Sequence, residues 1–313
     1  MDQEQWLNRR CFGGVDYPAA ALANAKGAQG LTVSVCIPAL NVAATVAPIV
    51  AAIRRAYVDQ LRLVDELIVI NGPSTDKTAE LARRSGAIVV DERDVLPEAG
   101  SGSGKGEALW KSLAASSGDV VIWLDSDVHE FDPAIIPALL GPIISDPAIA
   151  FVKAHYRRMF GHLPTGGGRV TEICARPLLN LFFPELTVFV QPLAGEVAAR
   201  RTLLEKIPFC EGYGVEVGML IDVWRQVGLD GMAQVDLGSR RHDHQDLGAL
   251  GAMASTITQV VLRRAGHELR AAHGSQFVTA RPDGSGGVQL GKAAVHVTER
   301  PPMIDTATPA DRS

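Results

Sequence analysis

The stretch Asp119-Val120-Val121-Ile122-Trp123-Leu124-Asp125-Ser126-Asp127 decides the fold: a short apolar, β-branched run that ends abruptly on two carboxylates flanking a serine. Such a run reads as a strand buried on both faces, and polar residues at its C-terminal end lie where open α/β sheets bind ligands. Upstream, residues 31–38 (LTVSVCIP) and 67–70 (LIVI) repeat the pattern, and residues 87–90 form a shorter strand. Between them residues 43–55, 78–85 and 106–115 are helix-like, the second preceded by the capping residues Ser74, Thr75 and Asp76. This β-α alternation predicts an α/β fold with a doubly wound, mostly parallel sheet. Asn41, Asn71 and Asp125 to Asp127 then converge on one crevice. Downstream, residues 148–157 and 232–237 read as strands. Helical spacing marks residues 169–183, 195–207, 215–227 and 247–263. Residues 274–287 are rich in glycine and serine, and the tail beyond 301 reads as loose.

The chain has 313 residues, 47% hydrophobic and 21% charged, enough for a sizeable core. A formal net charge of -5 argues against a general nucleic-acid binder, which needs a basic face. Cys11, Cys36, Cys174 and Cys210 form no CxxC pair, as expected in a reducing cytoplasm. The first residues lack a signal-peptide core, and no apolar run approaches the roughly 18 to 20 residues that cross a bilayer. The expectation is a soluble cytoplasmic protein without nucleic-acid or membrane partners.

Asp125 and Asp127 are oxygen donors of the kind that bind Mg²⁺ or Mn²⁺ against a diphosphate, although Asp and Ser also cap helices after strands. Residues 100–106 (GSGSGKG) fail the Walker A pattern twice, at Ala99 and Gly106. They remain readable as a flexible loop presenting Lys105 to a diphosphate, or as a solvated loop. In residues 165–171 (TGGGRVT), backbone N–H groups before a helix and the Arg169 fork suit an anion; a flexible connection is the alternative. Glu216 falls in a first helical turn, where a carboxylate is favoured for structural reasons alone. Arg240, Arg241, His242, Asp243 and His244 form a polar knot after a strand, with arginines suited to diphosphate and imidazoles to metal. Trp6, Trp110, Trp123 and Trp224 read as packing residues.

In order, these motifs resemble the glucosyl-3-phosphoglycerate synthases, retaining glycosyltransferases of the GT-A fold. The resemblance rests on Pro38-Ala39-Leu40-Asn41, Asp65-Glu66-Leu67-Ile68-Val69, residues 104–110 (GKGEALW), Asp125-Ser126-Asp127 and residues 165–172 (TGGGRVTE). It continues through residues 175–179 (ARPLL), 212–216 (GYGVE), 250–253 (LGAM) and Arg300-Pro301-Pro302-Met303. It implies that Asp127 and His242 hold Mg²⁺ or Mn²⁺ on the donor diphosphate. Pro38, Ala39, Leu40, Asn71, Asp125 and Ser126 would receive the nucleoside, and Lys105 and Arg240 the phosphates. Gly168, Arg169 and Thr171 would bind the anionic end of a small acceptor, with Tyr213, Glu216 and His244 near its nucleophile. Glu216 and Asp127 would be the catalytic pair, and the protein a homodimer. The implied division is an N-terminal extension (1–30), a nucleotide-sugar half (31–147), an acceptor-binding and metal-completing half (148–270) and a C-terminal tail (271–313).

Three departures bear on substrate. The family's first motif continues Asn-Glu, where Val42 stands here; its Asp-Ser after the second strand is Asn71-Gly72; and its Arg-Asn-Arg after the metal histidine is Asp243-His244-Gln245. Valine accepts no hydrogen bond, so a diverged member with a changed donor, acceptor or both is a second reading. The lincosamide-antibiotic glycosyltransferase, which joins a GDP-activated octose to the thiol of ergothioneine, is its precedent. A sugar-phosphate nucleotidyltransferase would need a glycine- and arginine-rich signature after the first strand, which residues 38–42 lack. A non-catalytic nucleotide-sugar binding protein is the remaining alternative.

Overall fold

The structure, a computed structural model, describes residues 2–14, 16–160, 163–240, 247–268, 276–285, 287–295 and 297–306. Helix α1 (Gln3–Arg10), strand β1 (Cys11–Gly13) and α2 (Ala19–Gln29) lead into the first predicted strand, β2 (Val33–Ala39). Then follow α3 (Val46–Ile53), β3 (Glu66–Asn71), α4 (Thr78–Arg84), β4 (Ile88–Asp91), α5 (Gly104–Ala114), β5 (Val120–Trp123) and α6 (Ile135–Ser145). The second half contains β6 (Phe151–Phe160), β7 (Leu163–Gly166), α7 (Arg176–Phe182), β8 (Val197–Arg200), α8 (Arg201–Leu204), β9 (Phe209–Cys210) and α9 (Val215–Val227). It ends with β10 (Met232–Arg240), α10 (Leu247–Arg264), β11 (Gln276–Pro282), β12 (Val288–Ala294), β13 (Glu299–Arg300) and α11 (Met303–Thr306).

Among the described residues one nine-stranded sheet runs β1-β10-β6-β8-β5-β2-β3-β4, with β7 paired to β6. All neighbours in that path are parallel except β8, which is antiparallel to both β5 and β6. Alternation across the pleat divides the core in two. Val120 and Ile122 face one apolar cluster with α3 and α6, while Val121 and Trp123 face another with α5 and α9. Helices on both faces leave the C-terminal strand ends as the open edge for a ligand, as the sequence implied.

Two readings of the sequence are corrected, the single helix over residues 195–207 and the loose chain after Pro301. Residues 195–207 are not one helix: Val197 to Arg200 form β8, because a short apolar run carries no periodicity of its own and two unsatisfied strands flank it. Near the N-terminus Trp6 is fully buried and β1 adds a strand beside β10. The glycine-rich stretch near 280 forms the β11–β12 hairpin. The chain after Pro301 turns into α11, whose Ile304 N–H donates to the Glu205 carbonyl at 3.0 Å. Trp110 and Trp123 are fully buried packing residues, as expected. Among the described residues no helix is long and apolar enough to cross a membrane.

Candidate active site

The sheet order places β5, β2 and β3 side by side, so the three polar strand ends do converge. Ser126 Oγ donates to the Pro38 carbonyl at 2.6 Å, and Thr45 Oγ1 to the Ser126 carbonyl at 2.6 Å, tying the β5 end to the turn after β2. That turn depends on Asn41, which takes a left-handed φ of 54°, a conformation asparagine tolerates better than most residues. Its Oδ1 accepts the Thr75 N–H at 2.8 Å, and the Val42 N–H donates to Thr78 Oγ1 at 2.8 Å. Leu40 stays half exposed at the mouth. Asn71 pairs with Ala39 across the ladder and is buried; its Oδ1 finds no hydrogen-bond donor among the described residues. The Val42 side chain packs against the core cluster of α3 and α6.

At the centre, Lys105 projects from the first turn of α5 and binds Asp125 in a short charged hydrogen bond. Its ammonium also meets Glu216 Oε1 from the first turn of α9, at 3.1 Å. Burial disfavours that charge, but Asp125 and then Glu216 outweigh it and hold Lys105 well above the ordinary lysine range. Gly195 makes the arrangement possible: a Cβ there would overlap Lys105 Nζ and lie 2.6 Å from Asp125 Oδ1.

Two charged residues beneath this cluster escaped the sequence reading. Lys153, in β6, is 1% exposed and donates to the Ala194 carbonyl at 2.6 Å. Burial pushes its ammonium down to about 8, against the pull of Glu216. Glu196 is as deeply buried, with Tyr156 Oη at 3.5 Å. A lysine inside an otherwise apolar strand (AIAFVKA) was the available signal.

Asp127 is exposed at the end of the same strand as Asp125. Its partner in the expected metal pair, His242, lies outside the described residues, as do Arg241, Asp243 and His244; Arg240 is the last residue of β10. Among the described residues no group of three or more metal-ligating side chains gathers. Asp127 alone fits a hard divalent cation by its chemistry, an exposed carboxylate at the open strand edge.

Gly168, Arg169 and Thr171, expected to bind the acceptor's anionic end, lie on a separate element after β7. Gly168 has a φ of 72°, which lets the chain reverse into the π-helical turn Thr171–Ala175. The Glu172 N–H donates to the Gly168 carbonyl at 3.0 Å, and Thr171 is buried. Arg169 borders a pocket of about 600 Å³ between this turn, α10 and β11, shared with Ile173, Leu250, Phe277 and Arg281. Tyr213 is more than half exposed in the turn that opens α9, three residues before Glu216.

Residues 34–196 match the family model of glycosyl transferase family 2. The chain is 46% identical over 281 residues to the glucosyl-3-phosphoglycerate synthase of Mycobacterium tuberculosis, covering 88% of this chain and 86% of that protein. A crystal structure of mannosyl-3-phosphoglycerate synthase from Rubrobacter xylanophilus superposes with a TM-score of 0.90 at 39% identity, covering 98% and 99% of the two chains. The M. tuberculosis glucosyl-3-phosphoglycerate synthase in complex with Mn²⁺, UDP and phosphoglyceric acid gives a TM-score of 0.82 at 43% identity, covering 93% and 96%. A shared family model, identity along most of both chains and a superposable GT-A fold agree with the ordered motifs and set aside the nucleotidyltransferase reading. The chain therefore belongs to glycosyl transferase family 2 and, within it, to the glucosyl-3-phosphoglycerate synthase family of glycosyltransferases.

Proposed function

We propose that the protein transfers a hexosyl group from a nucleoside diphosphate sugar to a hydroxyl of phosphoglycerate, with retention at the anomeric carbon. The observation that carries this reading is the Lys105–Asp125–Glu216 cluster at the C-terminal strand ends. The relatives' complexes with UDP, Mn²⁺ and phosphoglyceric acid supply the substrate classes. Pro38, Ala39, the exposed Leu40 and Asn71 receive the nucleoside, Asp125 and Ser126 the ribose, and Lys105 and Arg240 the diphosphate. Gly168, Arg169 and Thr171 take the acceptor's anionic group, with Tyr213, Glu216 and His244 around its nucleophile. Asp127 and His242 would hold Mg²⁺ or Mn²⁺, which when bound neutralises charge on the departing diphosphate.

Glu216 is paired with Lys105, a geometry that makes it a poor nucleophile and a good orienting group. This supports same-face substitution: the bond from the anomeric carbon to the diphosphate breaks as the acceptor oxygen bonds to that carbon, and the diphosphate oxygen takes the acceptor's proton. A homodimer is part of the proposal.

Val42 turned into the core and the donorless Asn71 Oδ1 favour a second reading, a donor whose base or sugar differs from UDP-glucose. One experiment separates the two. Melting temperatures are measured with UDP, GDP, ADP and TDP in Mg²⁺ or Mn²⁺, then turnover of the matching hexose donors with 3-phosphoglycerate. A UDP preference with product formation supports the family's activity, and a GDP preference the changed donor. Absence of binding and of product with every nucleotide overturns both.

A further inference from the structure

The motif Arg300-Pro301-Pro302-Met303 carries no role in the reading above, yet Arg300 reaches the loop that leads into α5 and Lys105. It sits in β13, opposite Phe209 of β9. Its Nε and Nη2 fork onto the Glu107 carboxylate at 2.6 and 2.8 Å. Its Nη1 and Nη2 donate to the carbonyls of Ala99 and Gly100 at 2.7 and 3.1 Å. The guanidinium stacks 5.1 Å from the Trp110 ring centroid, and Trp110 Nε1 donates to the Pro301 carbonyl at 2.8 Å.

Glu107 passes the constraint on. It is fully buried and accepts the Gly102 N–H at 3.1 Å. Burial pushes its carboxyl up, but the Arg300 fork and the Gly102 N–H prevail and hold it below the ordinary carboxylate range. Glu211 accepts the Ser103 N–H at 3.1 Å, and the Gly212 N–H donates to the Ser103 carbonyl at 3.2 Å. A Cβ on Gly106 would collide with the Cys210 carbonyl, so only glycine lets α5 start this close to β9. The N–H groups of Gly102 and Ser103 are thus committed to carboxylates and do not cradle phosphate. The group that the loop offers a ligand is the Lys105 side chain.

We propose that Arg300 is a positioning residue for the donor site: through Glu107 it clamps residues 99–103 and so sets where Lys105 meets the diphosphate. This rests on the reading of Lys105 as a diphosphate contact. The test uses the full chain carrying Arg300→Gln or Arg300→Lys, with two readouts. Amide hydrogen exchange at residues 99–104 should accelerate about tenfold or more in R300Q, as expected when several bonds to a charged group are lost, while β5 and α9 keep their protection. The Kd for UDP and GDP with Mg²⁺ should rise about tenfold, and the KM for 3-phosphoglycerate should change less than about twofold. R300K, which keeps the charge without the fork, should fall between.

Faster exchange with an unchanged nucleotide Kd would overturn the link to Lys105; unchanged exchange would overturn the clamp. If R300Q does not fold, Glu211→Ala, which removes the acceptor of the Ser103 N–H and hydroxyl together with the carboxylate 3.7 Å from Arg300 Nε, must move the same two readouts in the same direction. If the wild-type protein binds no nucleoside diphosphate, the donor-site reading and the role given to Arg300 both fail, while exchange still reports on the clamp.

Discussion

A methyl group added at residue 195 enters the ion pair at the centre of the site. The Cβ of Gly195→Ala would overlap Lys105 Nζ and lie 2.6 Å from Asp125 Oδ1, where ordinary contact begins at 3.4 Å. The carboxylate must retreat by about 0.8 Å and the ammonium by more. The short Lys105–Asp125 bond cannot survive both movements, whereas Lys105 keeps Glu216 as a partner. A hydrogen bond between charged groups contributes about 1.5–3 kcal/mol. If it serves to hold both groups for the donor, kcat/KM should fall roughly 10- to 150-fold. The ammonium is the tip of a flexible, partly exposed side chain that keeps Glu216, so the same loss should lower Tm by no more than about 5 °C. Initial-rate kinetics over a donor titration, beside a thermal melt, read both quantities. Kinetics within about twofold of wild type would refute the reasoning, and so would a large loss of Tm that matched the loss of activity.

Replacing Asp127 with Ala should abolish turnover supported by Mg²⁺ or Mn²⁺ while leaving the melt unchanged, because the side chain is exposed; near-normal metal-supported activity would remove it from the metal site. Lys153 predicts a pH effect of definite sign. Its folded pKa, about 8, lies below the ordinary 10.5, so between these values the unfolded chain binds more protons and the residue's contribution to stability rises with pH. Below pH 8 the buried charge costs its full amount, about 3 kcal/mol at roughly 1.4 kcal/mol per pH unit. Urea unfolding of wild type and Lys153→Met at pH 7, 9 and 10.5 should show the wild type gaining on the variant as pH rises; a constant difference would contradict this assignment.

The parallel strands were legible because each is an apolar run that stops at a polar group, and the same stops marked the crevice. β8 was not legible: Val197 to Arg200 resemble the start of a helix, and they form a strand because β5 and β6 each lack a partner on that side. Gly195, Lys153 and Glu196 were missed for a related reason. Their importance lies in what they approach across the fold, and spacing along the chain does not encode that. The loop at residues 100–106 was half read. Its spacing singles out Lys105 before a helix, but the carboxylates that occupy the loop's N–H groups come from Glu107 and from Glu211, 108 residues beyond Ser103.

The departures from the family pattern follow from where each part of the site is anchored. The charged groups proposed to meet the diphosphate come from α5, the end of β5 and α9, with the turn before β8 beside them, and each is fixed by another: Lys105 by Asp125 and Glu216, their approach by Gly195. A change at any one misplaces the rest, which makes the cluster resistant to substitution. Val42 and Gly72 sit instead in the turns after β2 and β3, and Asn71 closes β3, where a side chain can be exchanged without moving a charged partner. Asn71 illustrates the consequence. An amide there offers both a donor and an acceptor where the family has a carboxylate, and its orphan Oδ1 costs about 1–3 kcal/mol until something donates to it. Under the proposed reading, a nucleobase edge carrying an N–H beside a carbonyl would satisfy both groups once it displaced what covers them, so this position would change which base is preferred while the proposed diphosphate contacts stayed as before.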